Sequence, residues 1–135
     1  MTADCSPSAD SMLRIAVRAA REAGALLAER YRHPHQVRVK GPRDIVTEAD
    51  VAAEQVALAI IREGCPEGLV VSEESDSHRK ADPGRPVWYV DPLDGTTNYA
   101  RGLPMFCVSV AMSIAGAVQC GAVYDPLLDQ LFTAT

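Results

Sequence analysis

Between Ser11 and Tyr31 the apolar residues Leu13, Ile15, Ala16, Ala19, Ala20, Ala23, Leu27 and Tyr31 recur at three- and four-residue steps. Arg14, Arg18, Arg21, Glu22 and Glu29 fill the other side. That period predicts an amphipathic helix with one buried face and Ser11 as its cap. Pro34 ends it, and the loop that follows holds a short strand at Val37–Lys40. A second helix is predicted from Glu48 to Glu63, with Val51, Val56, Ala59 and Ile60 as its apolar positions and Gly64 closing it. Thr47-x-x-Asp50 at its start fits a variant of the capping box.

Beyond Gly64 the helical period gives way to short apolar runs. Leu69-Val70-Val71 predicts a buried strand, and Ser75 to Pro86 is a polar loop. Val87–Val90 predicts the next strand, and Pro92 with Asp94-Gly95 forces a turn. Phe106–Ile114 reads as a buried strand with apolar residues on both faces. Gly116 turns the chain into Ala117–Tyr124, and after Asp125-Pro126 a last strand covers Gln130–Thr135. Two helices followed mostly by strands favour a layered α+β fold with hairpins. The last strand has nothing after it to cover its side, so an exposed sheet edge is expected. Residues 1–10 read as a disordered tail ahead of one folded unit, 11–135.

Composition narrows the classes. The 135 residues are one domain's worth of chain, 47% apolar and 23% charged, which is globular composition. Only 5% are aromatic, so the expected core is aliphatic and rich in alanine. A net charge of −5 argues against general nucleic-acid binding, which needs a basic face. The cysteines at 5, 65, 107 and 120 have neither C-x-x-C spacing nor zinc-finger histidines, so free thiols in a reducing compartment are expected. The polar N-terminus has no signal-peptide pattern, and the longest apolar window is too short for a membrane span. A soluble cytoplasmic protein is the expectation.

The chemistry concentrates in Asp91-Pro92-Leu93-Asp94-Gly95-Thr96-Thr97. Two carboxylates stand three residues apart at a strand end. Pro92 restricts one backbone angle and Gly95 frees another, so the turn can aim both carboxylates and the Leu93 carbonyl at one point. Such oxygen ligands suit Mg²⁺. If a short helix starts at Gly95-Thr96-Thr97, its N–H groups offer an anion site. The competing reading is a plainly capped turn. Glu73-Glu74-Ser75 follows another apolar strand and can add a third ligand, or be a solvated charge pair. Asp50 caps a helix and can also orient a hydroxyl. Lys40 can bring a cation towards phosphate, or sit solvated in its loop. His33-Pro34-His35 lacks a third ligand for a metal, and no nucleophile–base set stands out.

Taken together, WYVDPLDGTTNYARGLP, the upstream VVSEES and the earlier DIVTEAD resemble the inositol monophosphatase family of Mg²⁺-dependent, lithium-sensitive phosphatases. The resemblance runs from about Ser11 to Thr135. It implies an αβαβα sandwich of the inositol monophosphatase/fructose bisphosphatase type. It implies metal ligands at Glu73, Asp91, the Leu93 carbonyl and Asp94. It implies phosphate contacts from Asp94, Gly95, Thr96 and Lys40, and a water activated by Thr96 and Glu73 with Asp50 behind Thr96. A second family signature, of W-D-x-A-A-G type, is absent; the single Trp is Trp88 and no W-D pair occurs. The sequence therefore resembles the N-terminal half of a family domain. The implied function is hydrolysis of a polyol phosphate, most simply inositol 1-phosphate. Histidinol phosphate, fructose bisphosphate and 3′-phosphoadenosine phosphate are alternative substrates. The implied partner is a small phosphate monoester, with no nucleic acid or membrane. The alternative of another class is a catalytically incomplete fragment that binds metal or a partner, including a second copy of itself.

Overall fold

The structure, a computed structural model, describes residues 8–42, 44–72 and 83–135. The elements in chain order are α1 (Ala9–Arg30), β1 (Val37–Gly41), β2 (Asp44–Thr47), α2 (Glu48–Gly64), β3 (Leu69–Ser72), β4 (Val87–Asp94), α3 (Thr96–Ala100), β5 (Cys107–Ile114), β6 (Ala117–Asp125) and β7 (Gln130–Ala134). The α+β class follows directly.

α1 begins two residues earlier than its apolar period suggests. Ser8 is the cap, its hydroxyl accepting from the Ser11 N–H, so Ala9 and Asp10 belong to the helix and not to a tail. The buried face of α1 is largely alanine: Ala16, Ala19, Ala20 and Ala23, with Met12 and Leu27 at the ends. α2 answers with Ala49, Ala53 and Ala57, then Ile60 and Ile61. Small residues on both faces let the helices approach closely. Val51 and Ala59, expected among the apolar positions of α2, are exposed instead.

β3 to β7 form one sheet in that spatial order, with β3 and β4 parallel and every other pair antiparallel. Both helices pack on the same face of it. Trp88, Val90, Val108, Val110, Met112, Cys120, Ala122 and Tyr124 point into that core. β5 is therefore not buried on both faces. Val108, Val110 and Met112 are covered, while Cys107, Ser109 and Ala111 on the far face are half-exposed, because the described residues supply only one helical layer. β7 is an edge strand, as expected, and its Phe132 is 61% exposed. β1 and β2 make a separate antiparallel hairpin. No helix among the described residues is long and apolar enough to cross a membrane. Cys65, Cys107 and Cys120 are free thiols.

One glycine measures how tightly α1 lies on the sheet. A Cβ at Gly24 would meet the Tyr124 ring at 2.6 Å and the Pro126 side chain at 3.3 Å. The ring cannot simply swing aside. Its hydroxyl donates to Asp129 at 2.8 Å, and the Arg21 guanidinium lies 5.4 Å from its centroid. Gly24→Ala is expected to cost about 1–3 kcal/mol through overpacking, read as a lower urea midpoint at unchanged m-value.

Candidate functional site

The site is assembled by a break in one strand. β4 pairs regularly with β5 up to Asp91 opposite Ser109, and the register then shifts before Asp94 meets Cys107. One extra residue on β4 makes a bulge at Pro92-Leu93, where proline has no N–H to lose from the ladder. Both side chains are buried, so the bulge is held from below. Asp91 is half-buried and Asp94 exposed.

Gly95 then closes the turn with φ +92°, in the left-handed region. A Cβ there would stand 2.7 Å from the Met105 carbonyl oxygen. That opposing atom is backbone, so the position has both the conformation and the space of glycine only. α3 follows immediately, with its first turn at the bulge.

Asp50 joins this turn from the other side. Its Oδ2 accepts from the Thr47 N–H at 3.0 Å and the Thr47 hydroxyl at 2.6 Å, completing the capping box of α2. Its Oδ1 accepts from the Thr96 hydroxyl at 2.8 Å. The Leu93 carbonyl oxygen is 3.1 Å from the same hydroxyl. A hydroxyl has one proton, and the carboxylate is the stronger acceptor. With its proton on Asp50, Thr96 keeps its lone pairs free to accept. Asp50 and Thr47 are both buried, so the arrangement is preset.

β3 lies parallel beside β4 with Ser72 opposite Val90. The strand preceding Glu73-Glu74 thus ends level with the residue before Asp91. Glu73 itself lies outside the described residues. Lys40 sits at a second bulge, between the pairs Val39–Ile45 and Gly41–Asp44 of the hairpin. Among the described residues no cluster of three or more His, Cys, Asp or Glu side chains gathers as a metal site. Asp91, Asp94 and the Leu93 carbonyl are a donor set of hard oxygens, the chemistry Mg²⁺ selects. The neighbouring sulfur does not change that. Cys107 Sγ is 3.8 Å from Asp94, and burial, then the charges of Asp94 and Asp91, push its thiol up to about 11. A cavity of about 590 Å³ opens beside Asp94 and Gly95, lined also by Asn98, Cys107 and Asp125.

Three residues meet near the site without any sequence signal that they do so. Tyr99, fully buried on α3, donates its hydroxyl to the Leu27 carbonyl at 2.8 Å. Burial, followed by the charge of Glu48, pushes its phenol up to about 12. His35 stacks on Tyr99 and bonds to Glu48, while His33 is exposed, so the two histidines do not converge on a metal. Glu48 is held below its ordinary value. Burial pushes it up, but hydrogen bonds from His35, its own backbone and the Gln36 N–H outweigh that.

The site thus combines an α layer on a mixed sheet with paired strand-end aspartates, a left-handed glycine and a carboxylate-held threonine. The chain matches the inositol monophosphatase family over residues 8–135 and belongs to it. It is 47% identical to the Nus factor SuhB of Salmonella typhimurium over 126 residues, 92% of this chain and 47% of that protein. The extragenic suppressor protein suhB of Bartonella henselae has a similar structure, with TM-score 0.85 and 38% identity over 91% of this chain and 48% of that one. An IMPase of Thermotoga maritima superposes with TM-score 0.82 and 33% identity, covering 91% of this chain and 47% of that one. The chain spans about half the length of the relatives it matches.

Proposed function

We propose that this chain carries the metal- and phosphate-binding half of a Mg²⁺-dependent phosphomonoesterase acting on a polyol phosphate such as inositol 1-phosphate. The observation that carries the reading is the Thr96 hydroxyl. It is held on Asp50 at 2.8 Å and stands 3.1 Å from the Leu93 carbonyl, beside Asp91 and Asp94. The Asp91 and Asp94 carboxylates and the Leu93 carbonyl would hold Mg²⁺, with Glu73 as a further ligand and proton acceptor. The end of β3 at Ser72, opposite Val90, supports that role for Glu73. A bound Mg²⁺ lowers the pKa of water and neutralises charge on the leaving oxygen. Thr96 accepts a hydrogen bond from the attacking water and orients it, because its own proton is committed to Asp50. The Gly95 and Thr96 N–H groups and Lys40 hold the phosphate, in a turn that Gly95 alone permits.

A second reading is carried by the relatives. Proteins 47% identical to this chain bear the name Nus factor SuhB, so its role can be binding a partner through this fold instead of hydrolysis. One assay separates the two: Mg²⁺-dependent phosphate release from inositol 1-phosphate by the purified chain, with Asp91→Asn as control. The expected result is weak Mg²⁺ binding and slow release that disappears both in Asp91→Asn and on chelation. Release insensitive to Asp91→Asn would sink the site, and ordinary enzyme rates would show that this half alone suffices.

A further inference from the structure

The β1–β2 hairpin is anchored through β2, whose Val46 and Thr47 are buried. Val37 to Lys40 are all exposed, and among the described residues β1 pairs only with β2. The chain enters it from α1 across the face of Tyr99. There the His35 ring centroid lies 4.7 Å from that of Tyr99, and its side chain is 5% exposed. One carboxylate holds both residues just ahead of the strand. Glu48 Oε1 is 3.0 Å from His35 Nδ1, and Glu48 Oε2 accepts the Gln36 N–H at 2.7 Å. Glu48 is the first residue of α2, two before Asp50, and a carboxylate is favoured at a helix start.

We propose that Glu48 is a positioning residue: with His35 it fixes the direction in which β1 leaves the body of the protein, and thereby where Lys40 stands relative to the Asp50–Thr96 pair. This deepens the phosphate-site reading above and rests on it for the role of Lys40. The geometry is that of a lever. Four extended residues from Gln36 to Lys40 span about 13 Å. A swing of about 20° at Gln36 would carry Lys40 about 5 Å, more than a charge-assisted hydrogen bond tolerates. Glu48 clamps the short end of that lever. It does so from the same helical turn that supplies Asp50, while His35 rests on the helix that starts with Thr96. Clamp, capping carboxylate and α3 therefore share one small block of structure, and β1 is referred to that block through Glu48 at its start and through its pairing with β2 along its length.

The test has two readouts on the whole chain: amide hydrogen exchange over residues 37–41, and the affinity for inorganic phosphate in the presence of Mg²⁺. Glu48→Ala is expected to raise exchange in 37–41 by about tenfold or more while β4 and β5 amides stay protected. His35→Asn, which keeps a donor towards Glu48, retains most of that protection; His35→Phe, which keeps the ring and loses the donor, does not. Phosphate affinity in Glu48→Ala falls to that of Lys40→Ala, and the double variant binds no more weakly than Lys40→Ala alone. Unchanged exchange in both Glu48→Ala and His35→Phe would overturn the clamp. Losses that multiply in the double variant would overturn the link to Lys40. A wild-type chain that binds no phosphate with Mg²⁺ present would refute the phosphate site and that link together, while exchange decides the clamp independently.

Discussion

Trp88→Ala is expected to remove about 3–5 kcal/mol of stability, against the ~5–15 kcal/mol that holds a domain of this size. Trp88 is 0% exposed near the start of β4, flanked by Val70 of β3 and Met112 of β5. A Cβ on Gly68 would stand only 2.8 Å from the indole, so the chain there packs directly against the ring. A cavity of this size among strands paired on each side cannot collapse by moving one loop. The next residue supplies the control. Tyr89 points to the uncovered face of the same strand and is 46% exposed, so Tyr89→Ala is expected to cost about 1 kcal/mol or less. Urea unfolding followed by far-ultraviolet circular dichroism checks both. Equal losses at 88 and 89 would mean that the helices do not define the core face. The consequence reaches the site, because Asp91 lies three residues along β4 and depends on the anchoring of Trp88 and Val90.

Such parity was legible in the sequence wherever a periodic run was long enough to have one face. α1, α2 and the strands from β3 onward lie within a few residues of where their patterns place them. The exceptions have physical causes. α2 buries Ala49, Ala53 and Ala57 in preference to Val51 because its partner is also alanine-faced, and close approach selects small residues over hydrophobic ones. Pro92 reads as the end of a strand, yet β4 runs through it as a bulge to Asp94. Asp44–Thr47 reads only as the lead into a helix; its pairing with β1 leaves no alternation, since β1 is exposed on both faces.

The site divides in the same way. Asp91, Leu93, Asp94 and Gly95 are neighbours in sequence, and their turn could be read from Pro and Gly. The Asp50–Thr96 bond spans 46 residues, and only resemblance to a family pointed to it. The capping box of α2 was legible at Thr47-x-x-Asp50, but a cap uses just one carboxylate oxygen. What the other oxygen does depends on which element the fold brings to it. Likewise nothing in His35, Glu48 or Tyr99 as isolated residues announces that they meet, since one lies in a loop and the others at two different helices far apart in the sequence.

Because its two oxygens do different work, Asp50 allows structure and chemistry to be separated with one atom. In Asp50→Asn the amide oxygen takes the place of Oδ2, where two Thr47 donors require an acceptor. The opposite orientation would set an NH₂ against both donors and leave them unpaired in a buried site, so it is disfavoured. The NH₂ therefore faces Thr96. It donates where Asp50 accepted, and the Thr96 hydroxyl must turn its proton away, towards the Leu93 carbonyl 3.1 Å distant. The cap survives, but one Thr96 lone pair is now taken by the amide, its proton is turned onto the Leu93 carbonyl, and that carbonyl is engaged. Phosphate release is expected to fall by about 10²–10⁴-fold, to the Mg²⁺-free background for a chain that is already slow, while stability falls by about 1 kcal/mol or less. Thr96→Val should lose the same activity, and the Asp50→Asn/Thr96→Val double variant no more than either alone, because the hydrogen bond donated by Thr96 to Asp50 is absent from all three. Asp50→Ala differs: it also strips the cap, adding about 1–2 kcal/mol of destabilisation. Paired urea unfolding and Mg²⁺-dependent phosphate assays on these variants decide the point. If Asp50→Asn kept wild-type release, Asp50 would be a cap and nothing more. If it instead lost as much stability as Asp50→Ala, the two oxygens would not be separable, and the preset hydroxyl would not be the element on which water activation turns.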